Sequence, residues 1–226
     1  LLDLKNVSTA RLGVVRISAL PSFAANLLPD SIKHFRKQNP GASFVVKDMI
    51  AGSLLGLVRS EEVDLGLTGG HVDFPDIEVL FKANDEMNVI YPAGHPIGKF
   101  ARITADRLAQ YPLVMMDART SVRAVTDFAF GKAKLMPAPV SEATYMMTAI
   151  GMVRAGIGIT ILPASARDIA AESSLRVKRI SDRNFWRPVA LIKKKGRTLP
   201  PLSQAFADQL SDDCASFLRD AEDGSD

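Results

Sequence analysis

The sequence predicts an α/β fold of two lobes, each with a mostly parallel sheet. Strand and helix patterns alternate in the order β-α-β-α-β from residue 13 to residue 70, which is typical of parallel strands joined by right-handed crossovers. The alternation starts again near residue 112, and no Ser/Gly-rich linker separates the two halves. A chain of 226 residues is long enough for two such lobes.

The first half contains three predicted strands and two predicted helices. A run rich in β-branched residues predicts a strand over 13–20, and two more strands are predicted over 43–49 and 64–70, the last of which ends in glycines. Apolar residues recur at helical spacing over 27–38 and 53–63. Pro29 falls in the first turn of the earlier helix, where its missing N–H costs nothing, and Ser53 is the expected N-cap of the later one.

The second half repeats this order after two linking strands, which are expected over 76–92 with their joint at residues 83–85. Further strands are predicted at 112–117, 157–163, 174–180 and 187–195, with one more that ends at 138–141. Helices are predicted at 121–133, 143–156 and 201–220, with a short one capped by Thr104. Cys214 lies on the apolar stripe of the last helix, so we expect a small buried side chain rather than a nucleophile.

The stretch "GMVRAGIGITILP" (151–163) contains two closely spaced glycines and is a candidate nucleotide-binding loop. A dinucleotide fingerprint needs G-x-G-x-x-G between a strand and a helix. Here Ile161 occupies the third glycine position, and the order is helix, glycines, strand. We therefore expect Gly156 to close a helix in the left-handed conformation and Gly158 to allow a close backbone approach.

Composition excludes several classes of function. The net charge of +3 is too small to indicate a nucleic-acid surface, although the pI is near 9.0. The run "IKKKGR" (192–197) is a candidate DNA contact, but a solvated strand end is favoured. One cysteine and three scattered histidines give no metal site, and no cofactor motif is present. No apolar run could span a membrane, and we expect a cytoplasmic protein.

Polar residues follow several predicted strands, where open α/β sheets bind their ligands. They are Ser22, Thr68, the group Arg119, Thr120, Ser121 and Arg123, and the pair Ser141 and Thr144. Hydroxyls, arginines and helix N-termini together suit an anion such as a carboxylate. The alternative is that Ser22, Ser121, Ser141 and Thr144 are ordinary helix caps.

An ordered set of segments carries a family resemblance. The segments are "VRISALPSFAANLLPDSIKHFRKQNPG", "LGLVRSEEVDLGL", "NVIYPAGHPI", "YPLVMMD" with "TSVR", "MVRAGIGITILP" and "VALI". Over residues 13 to 210 the chain resembles the effector-binding domain of a LysR-type transcriptional regulator. The resemblance implies a periplasmic-binding-protein type of fold, with the second lobe inserted into the first and an effector in the interlobe cleft. It places lobe I at 1–88 and 190–226, lobe II at 89–189, and crossover strands near 88–91 and 187–190.

The resemblance also implies effector-binding residues. In the first lobe these are Leu20, Pro21 and Ser22 after the first strand, Ala51, Gly52 and Ser53 at the second helix, and Thr68. In the second lobe they are Arg119, Thr120, Ser121, Arg123, Ser141 and Glu142. The family often has Ser or Thr where this chain has Ala51-Gly52, so Ser53 either substitutes or that contact is absent.

The resemblance implies a regulatory domain without enzymatic activity. The expected partners are a small-molecule effector, expected to be an anion from the residues above, and further copies in a homodimer or homotetramer. The helix at 27–38 is expected to meet the helix at 121–131 of a partner. DNA would be bound only through a winged helix-turn-helix preceding this region, which is absent from the chain.

Two alternatives stay open at this point. One is a periplasmic solute-binding protein of a transporter, which an upstream signal peptide would indicate. The other is an α/β enzyme that uses Arg119 or Arg123 with Asp117, although the sequence offers no general base paired with a nucleophile.

Overall fold

The chain divides into two compact α/β units. The structure is a computed structural model and describes residues 13–167 and 173–223. The first unit comprises Leu1–Thr68, Val72–Lys82 and Ala190–Ser216, and the second comprises Gly69–His71, Ala83–Val189 and Phe217–Asp226. Two of the boundaries between the units follow Lys82 and Val189. The lobe boundaries at residues 88 and 190, which the resemblance implies, stay a prediction.

The described residues form ten strands and seven α-helices. The strands are β1 Gly13–Ala19, β2 Ala42–Asp48, β3 Leu65–Gly69, β4 Ile77–Asp85, β5 Met87–Pro92, β6 Leu113–Met116, β7 Ser141–Ala143, β8 Ile159–Pro163, β9 Leu175–Arg179 and β10 Arg187–Lys194. The helices are α1 Pro21–Asn26, α2 Leu28–Gln38, α3 Ala51–Arg59, α4 Ala105–Leu108, α5 Ser121–Lys132, α6 Met146–Arg154 and α7 Pro201–Asp223. They make two five-stranded sheets, and the α/β fold class is confirmed.

The sheet of the first unit has the strand order β2-β1-β3-β10-β4. β1 pairs in parallel with both β2 and β3, and Ala19 lies opposite Asp48 on one side and Leu67 on the other. On one face, Phe35, Phe44 and Phe206 make edge-to-face contacts with ring centroids 4.9–5.9 Å apart. These rings join α2, β2 and α7 into one apolar layer.

The opposite face of this sheet is covered by α3. A Cβ on Gly66 would come within 2.8 Å of Leu54 and Val58, which are fully buried residues of α3. Glycine at this position of β3 therefore lets the helix pack directly on the sheet. Because side chains alternate along a strand, Thr68 lies on the same face as Gly66.

The sheet of the second unit has the order β7-β6-β8-β5-β9 and is mixed. β6 pairs in parallel with β7 and β8, whereas β5 pairs antiparallel with β8 and β9. The register places the carboxyl ends of β6, β7 and β8 at one edge. α5 and α6 pack against the sheet through fully buried residues such as Ala129, Ala149 and Val153.

The two glycines before β8 have the roles that the sequence predicts. Gly156 has φ of +79° and follows α6. Its N–H donates to the Val153 carbonyl and the Ile157 N–H donates to the Met152 carbonyl, which is the Schellman pattern of a helix end. A Cβ on Gly158 would lie 2.3 Å from the Pro112 carbonyl oxygen, so both predictions are confirmed.

Several predicted boundaries are wrong. α3 begins at Ala51 with Ile50 at the N-cap, so Ser53 is the third helical residue and caps nothing. That helix ends at Arg59 because Glu61 adopts a positive φ of 59°. The joint between β4 and β5 falls at Glu86 rather than at residues 83–85.

Candidate functional site

In the first unit, the loops that follow three parallel strands leave from one edge of the sheet. The Leu20 N–H donates to the Leu67 carbonyl and the Met49 N–H donates to the Ala19 carbonyl, each at 3.0 Å. These bonds fix the ends of β1, β2 and β3 side by side. The residues predicted to bind an effector in this unit lie at these three ends or just after them.

Leu20, Pro21 and Ser22 form the start of α1. Leu20 is the N-cap residue and offers no side-chain hydrogen bond, and Pro21 is the first helical residue. Ser22 is 3% exposed, and its carbonyl accepts a 3.0 Å hydrogen bond from the Asn26 amide. Ser22 therefore lies inside the first turn, and the reading of Ser22 as a helix cap is wrong.

Ala51, Gly52 and Ser53 form the first turn of α3. The N-cap Ile50 has no polar side chain to accept from the first amides of this helix. Gly52 and Ser53 are exposed, and a Cβ on Gly52 would meet nothing within 4 Å. The start of α3 therefore has no side-chain cap and an exposed first turn, which is a suitable environment for an anion.

Thr68, the penultimate residue of β3, has an unsatisfied hydroxyl. The residue is 1% exposed, and its Oγ1 has no hydrogen-bond partner among the described residues. It lies on the face of the sheet that α3 covers. A buried hydroxyl without a partner is costly and calls for an explanation, and a bound ligand would supply the missing hydrogen bond.

In the second unit, Thr120 and Ser121 begin α5 beside the end of β6. The Thr120 Oγ1 accepts from the Arg123 N–H at 3.1 Å and donates to the Asp117 carbonyl at 2.8 Å. Thr120 is thus the N-cap, and its hydroxyl is fully used in holding the helix start. Ser121 is the first helical residue and is 7% exposed, so the reading of Ser121 as the cap is wrong.

The Arg123 guanidinium is paired with two carboxylates. Its Nε donates to both carboxylate oxygens of Asp127, at 2.8 and 3.0 Å. Its Nη1 donates to the Glu142 carboxylate at 2.7 Å and to the Met116 carbonyl at 3.2 Å. The Glu142 hydrogen bond is the largest contribution that raises the pKa of the guanidinium.

Arg119 forms a bidentate pair with Asp117. Its Nε and Nη2 donate to the two carboxylate oxygens at 2.9 and 3.1 Å, and its backbone N–H donates to one of them at 2.9 Å. These hydrogen bonds lower the pKa of Asp117 to about 2. Both predicted arginines are therefore neutralised within the unit, and the candidate anion donors here are the Ser121 hydroxyl and the first amides of α5.

Ser141 does not precede a helix as predicted. Ser141, Glu142 and Ala143 form β7, in register with Val114, Met115 and Met116 of β6. Hydrogen bonds at both ends, from the Val140 N–H to Leu113 and from the Asp117 N–H to Ala143, draw this segment into the sheet. Ser141 thus begins the strand, away from the edge where α5 starts.

The sequence reasoning missed Tyr145 at the edge where β7 ends. Tyr145 is the N-cap residue of α6, which begins only at Met146, and neither it nor Thr144 caps the helix with a side-chain hydrogen bond. Tyr145 is 66% exposed. In the preceding segment, the apolar and polar residues alternate from Val140 to Ala143. This alternation is the sequence signal that could have indicated β7.

A sequence model of the family described as "LysR substrate binding domain" matches residues 9–215. This chain belongs to the LysR substrate-binding domain family. Relatives include the uncharacterized HTH-type transcriptional regulator YybE of Bacillus subtilis, which is 29% identical over 196 residues (86% of this chain, 66% of YybE). The transcriptional activator LysR of Escherichia coli is 29% identical over 202 residues (88% of this chain, 64% of LysR). The chain spans slightly less than two thirds of these regulators.

Known structures of LysR-type domains share this fold. The effector-binding domain of QuiR in complex with shikimate matches with a TM-score of 0.78 and 21% identity, covering 94% of this chain and 98% of that one. The cofactor-binding domain of the Cbl regulator matches with a TM-score of 0.80 and 20% identity, covering 92% and 94%. The BenM effector-binding domain with its effector benzoate matches with a TM-score of 0.77 and 18% identity, covering 90% and 92%.

Within residues 13–167 and 173–223, no group of three or more His, Cys, Asp or Glu side chains is placed to hold a metal ion. In the same part of the chain, no helix has the length and apolar character to cross a membrane.

Proposed function

We propose that this LysR-type domain senses a small anionic effector, with a carboxylate as the favoured class. The buried Thr68 hydroxyl carries the proposal, because it lies at the end of β3, on the face covered by α3, and has no partner among the described residues. A bound ligand that hydrogen-bonds this hydroxyl would remove the cost of leaving it unsatisfied.

Two helix starts support an anionic group in the ligand. α3 has no side-chain cap, and Gly52 leaves its first turn open to solvent. α5 spans twelve residues and has Ser121 as its first residue. Backbone N–H groups at a helix start attract negative charge without any arginine. This fits the finding that both Arg119 and Arg123 already bind carboxylates.

Two structural neighbours favour the same ligand class. The QuiR domain is described with shikimate and the BenM domain with benzoate, and both ligands are small carboxylates. The alternative of a transporter's solute-binding protein is not favoured, because the matching family and the relatives named above are those of regulators. The same relatives favour a regulator over an enzyme.

The first experiment replaces Thr68 with valine, which keeps the shape and removes the hydroxyl. Thermal shift would be recorded with benzoate, shikimate and a wider set of carboxylates, and with benzamide as a neutral counterpart. We expect Thr68→Val to weaken binding of any carboxylate hit about fivefold to tenfold, the value of one hydrogen bond. The ligand-free variant should melt no lower than the parent, because no protein hydrogen bond is lost.

The second experiment separates the Ser121 hydroxyl from its backbone N–H. Ser121→Ala removes the hydroxyl only, and Ser121→Pro also removes the N–H at a position where helices accept proline. We expect successive losses of affinity in that order, with Ser181→Ala as an exposed serine control in the same unit. Carboxylate affinity that is unchanged in Thr68→Val and in both Ser121 variants contradicts the proposal.

The proposed partners follow from the family. We propose that the domain assembles as a homodimer or homotetramer. We also propose that it acts on DNA through a helix-turn-helix, the motif that appears in the name of its relative YybE. α2 and α5 are the proposed contact helices, and Phe128 of α5 supports this because it is 56% exposed. Sedimentation of the parent and of Phe128→Glu tests the contact, and an unchanged oligomer contradicts it.

A further inference from the structure

A buried ion pair joins β4 and β10, two strands in which the chain passes between its units. Two of the boundaries between units fall between Lys82 and Ala83 in β4 and between Val189 and Ala190 in β10. Asp85 ends β4 and Arg187 begins β10, so both lie in the second unit close to these boundaries. Asp85 and Arg187 are 1% exposed each. Arg187 is also among the largest fully buried side chains of the described residues.

Ser165 completes this cluster from the turn after β8. Arg187 Nη2 donates to the Asp85 carboxylate and, at 3.1 Å, to the Ser165 hydroxyl. The Ser165 hydroxyl donates to Asp85 Oδ2 at 2.7 Å, and the Ser165 backbone N–H donates to Asp85 Oδ1 at 3.2 Å. Each of the three residues therefore contacts the other two.

The surrounding backbone reinforces the same corner of the second unit. The Ala164 N–H donates to the Glu86 carbonyl, and the Gly70 N–H donates to the Pro188 carbonyl, each at 2.8 Å. Arg179, at the end of β9, pairs with the buried Glu86 carboxylate. The adjacent acids Asp85 and Glu86 thus bind arginines from β10 and from the end of β9.

Burying a charged pair is costly, and apolar side chains of similar volume often stabilise a core as well. A buried pair differs from an apolar contact in directionality, since each of its hydrogen bonds requires a particular distance and angle between donor and acceptor. We propose that Asp85, Arg187 and Ser165 form a clamp that fixes the end of β4 to the start of β10, so that both strands move as one element. This inference does not depend on which effector the domain binds.

The test replaces the pair with apolar residues and measures local opening. In the double variant Asp85→Leu/Arg187→Met, hydrogen exchange followed by mass spectrometry should be about tenfold faster over residues 83–87 and 187–190. Exchange in β1 and β6 should stay at the parent rate. The control Asp76→Leu/Arg59→Met removes an exposed Arg–Asp pair of the first unit and should leave 83–87 and 187–190 unchanged.

Two results would overturn the clamp. One is parent-like exchange at both segments in the double variant. The other is faster exchange by the same factor in β1 and β6, which indicates general destabilisation. Ser165→Ala keeps the charged pair and provides a milder test if the double variant does not fold. We expect faster exchange confined to the same two segments, and unchanged exchange there also overturns the proposal.

Discussion

Gly158 lies so close to Pro112 that a Cβ on the glycine would come within 2.3 Å of the proline carbonyl oxygen. The Ile159 N–H donates to that same oxygen at 2.9 Å, which ties the start of β8 to the residue before β6. The obstacle is backbone rather than a flexible side chain, so a substitution at Gly158 must move the strand.

We expect Gly158→Ala to lower the free energy of unfolding by about 1–3 kcal/mol, the usual cost of overpacking. Urea denaturation measures this change in the free energy of unfolding. Gly131→Ala is the matched control, because a Cβ there meets nothing within 4 Å and the residue lies in α5. It should raise stability by about 0.5–1 kcal/mol. Equal effects of the two substitutions would contradict the close-approach explanation.

Asp64 is a buried acceptor that connects distant parts of the first unit. It is 1% exposed and accepts from the Arg16 N–H at 3.0 Å, the Ser203 hydroxyl at 2.9 Å and Arg197 Nη2 at 2.6 Å. We expect Asp64→Ala to cost about 2–4 kcal/mol of unfolding free energy, because it leaves these donors without a partner.

Glu61→Ala provides the comparison for Asp64, again by urea denaturation. Glu61 pairs with Lys194, and their side chains are 44% and 37% exposed. An exposed ion pair contributes less than about 1 kcal/mol. A loss at Asp64 no larger than the loss at Glu61 would show that Asp64 does not hold the unit together.

The Asp117 carboxyl should titrate near pH 2 in the folded protein. Hydrogen bonds from the Arg119 side chain and backbone N–H lower its pKa from the ordinary value of 3.8 to about 2. Because the folded pKa is depressed, this pair stabilises the fold fully above pH 3.8, and its contribution is lost as the pH falls toward 2. Carboxyl-carbon NMR measures the midpoint.

Arg119→Ala should move the Asp117 midpoint back toward 3.8. Some depression should remain, because the backbone N–H of residue 119 still donates to the carboxylate. An Asp117 midpoint that is identical in the parent and in Arg119→Ala would refute the pairing.

Cys214 should be unreactive until the chain unfolds. The residue is 1% exposed in α7, and burial, with Asp213 nearby, raises the pKa of its thiol to about 12. Only the thiolate reacts with a disulfide reagent such as Ellman's reagent. We expect no reaction of the native protein and one thiol per chain in guanidinium, since the sequence contains one cysteine. Rapid reaction of Cys214 in the native protein would contradict its buried position in α7.

Local sequence signals determined much of the fold. The strand and helix alternation predicted two α/β units because apolar spacing of 2 or 3.6 residues reflects which face each segment buries. Pro29 falls in the first turn of α2 and Gly156 adopts a left-handed conformation, as predicted. Both outcomes depend on the residue's own backbone preference, which neighbours along the chain are enough to reveal.

Tertiary structure decided what depends on distant partners. The segment at 141–143 became a strand because β6 offered hydrogen bonds, although Ser141 was also a candidate cap of the following helix. The expected charge of Arg123 is neutralised by Glu142, nineteen positions away. Asp85 and Arg187 are separated by 102 positions and meet only in the folded chain. Whether a polar side chain has a hydrogen-bond partner depends on every group around it in the folded chain. The residues next to Thr68 in the sequence therefore could not show that its hydroxyl has no partner among the described residues.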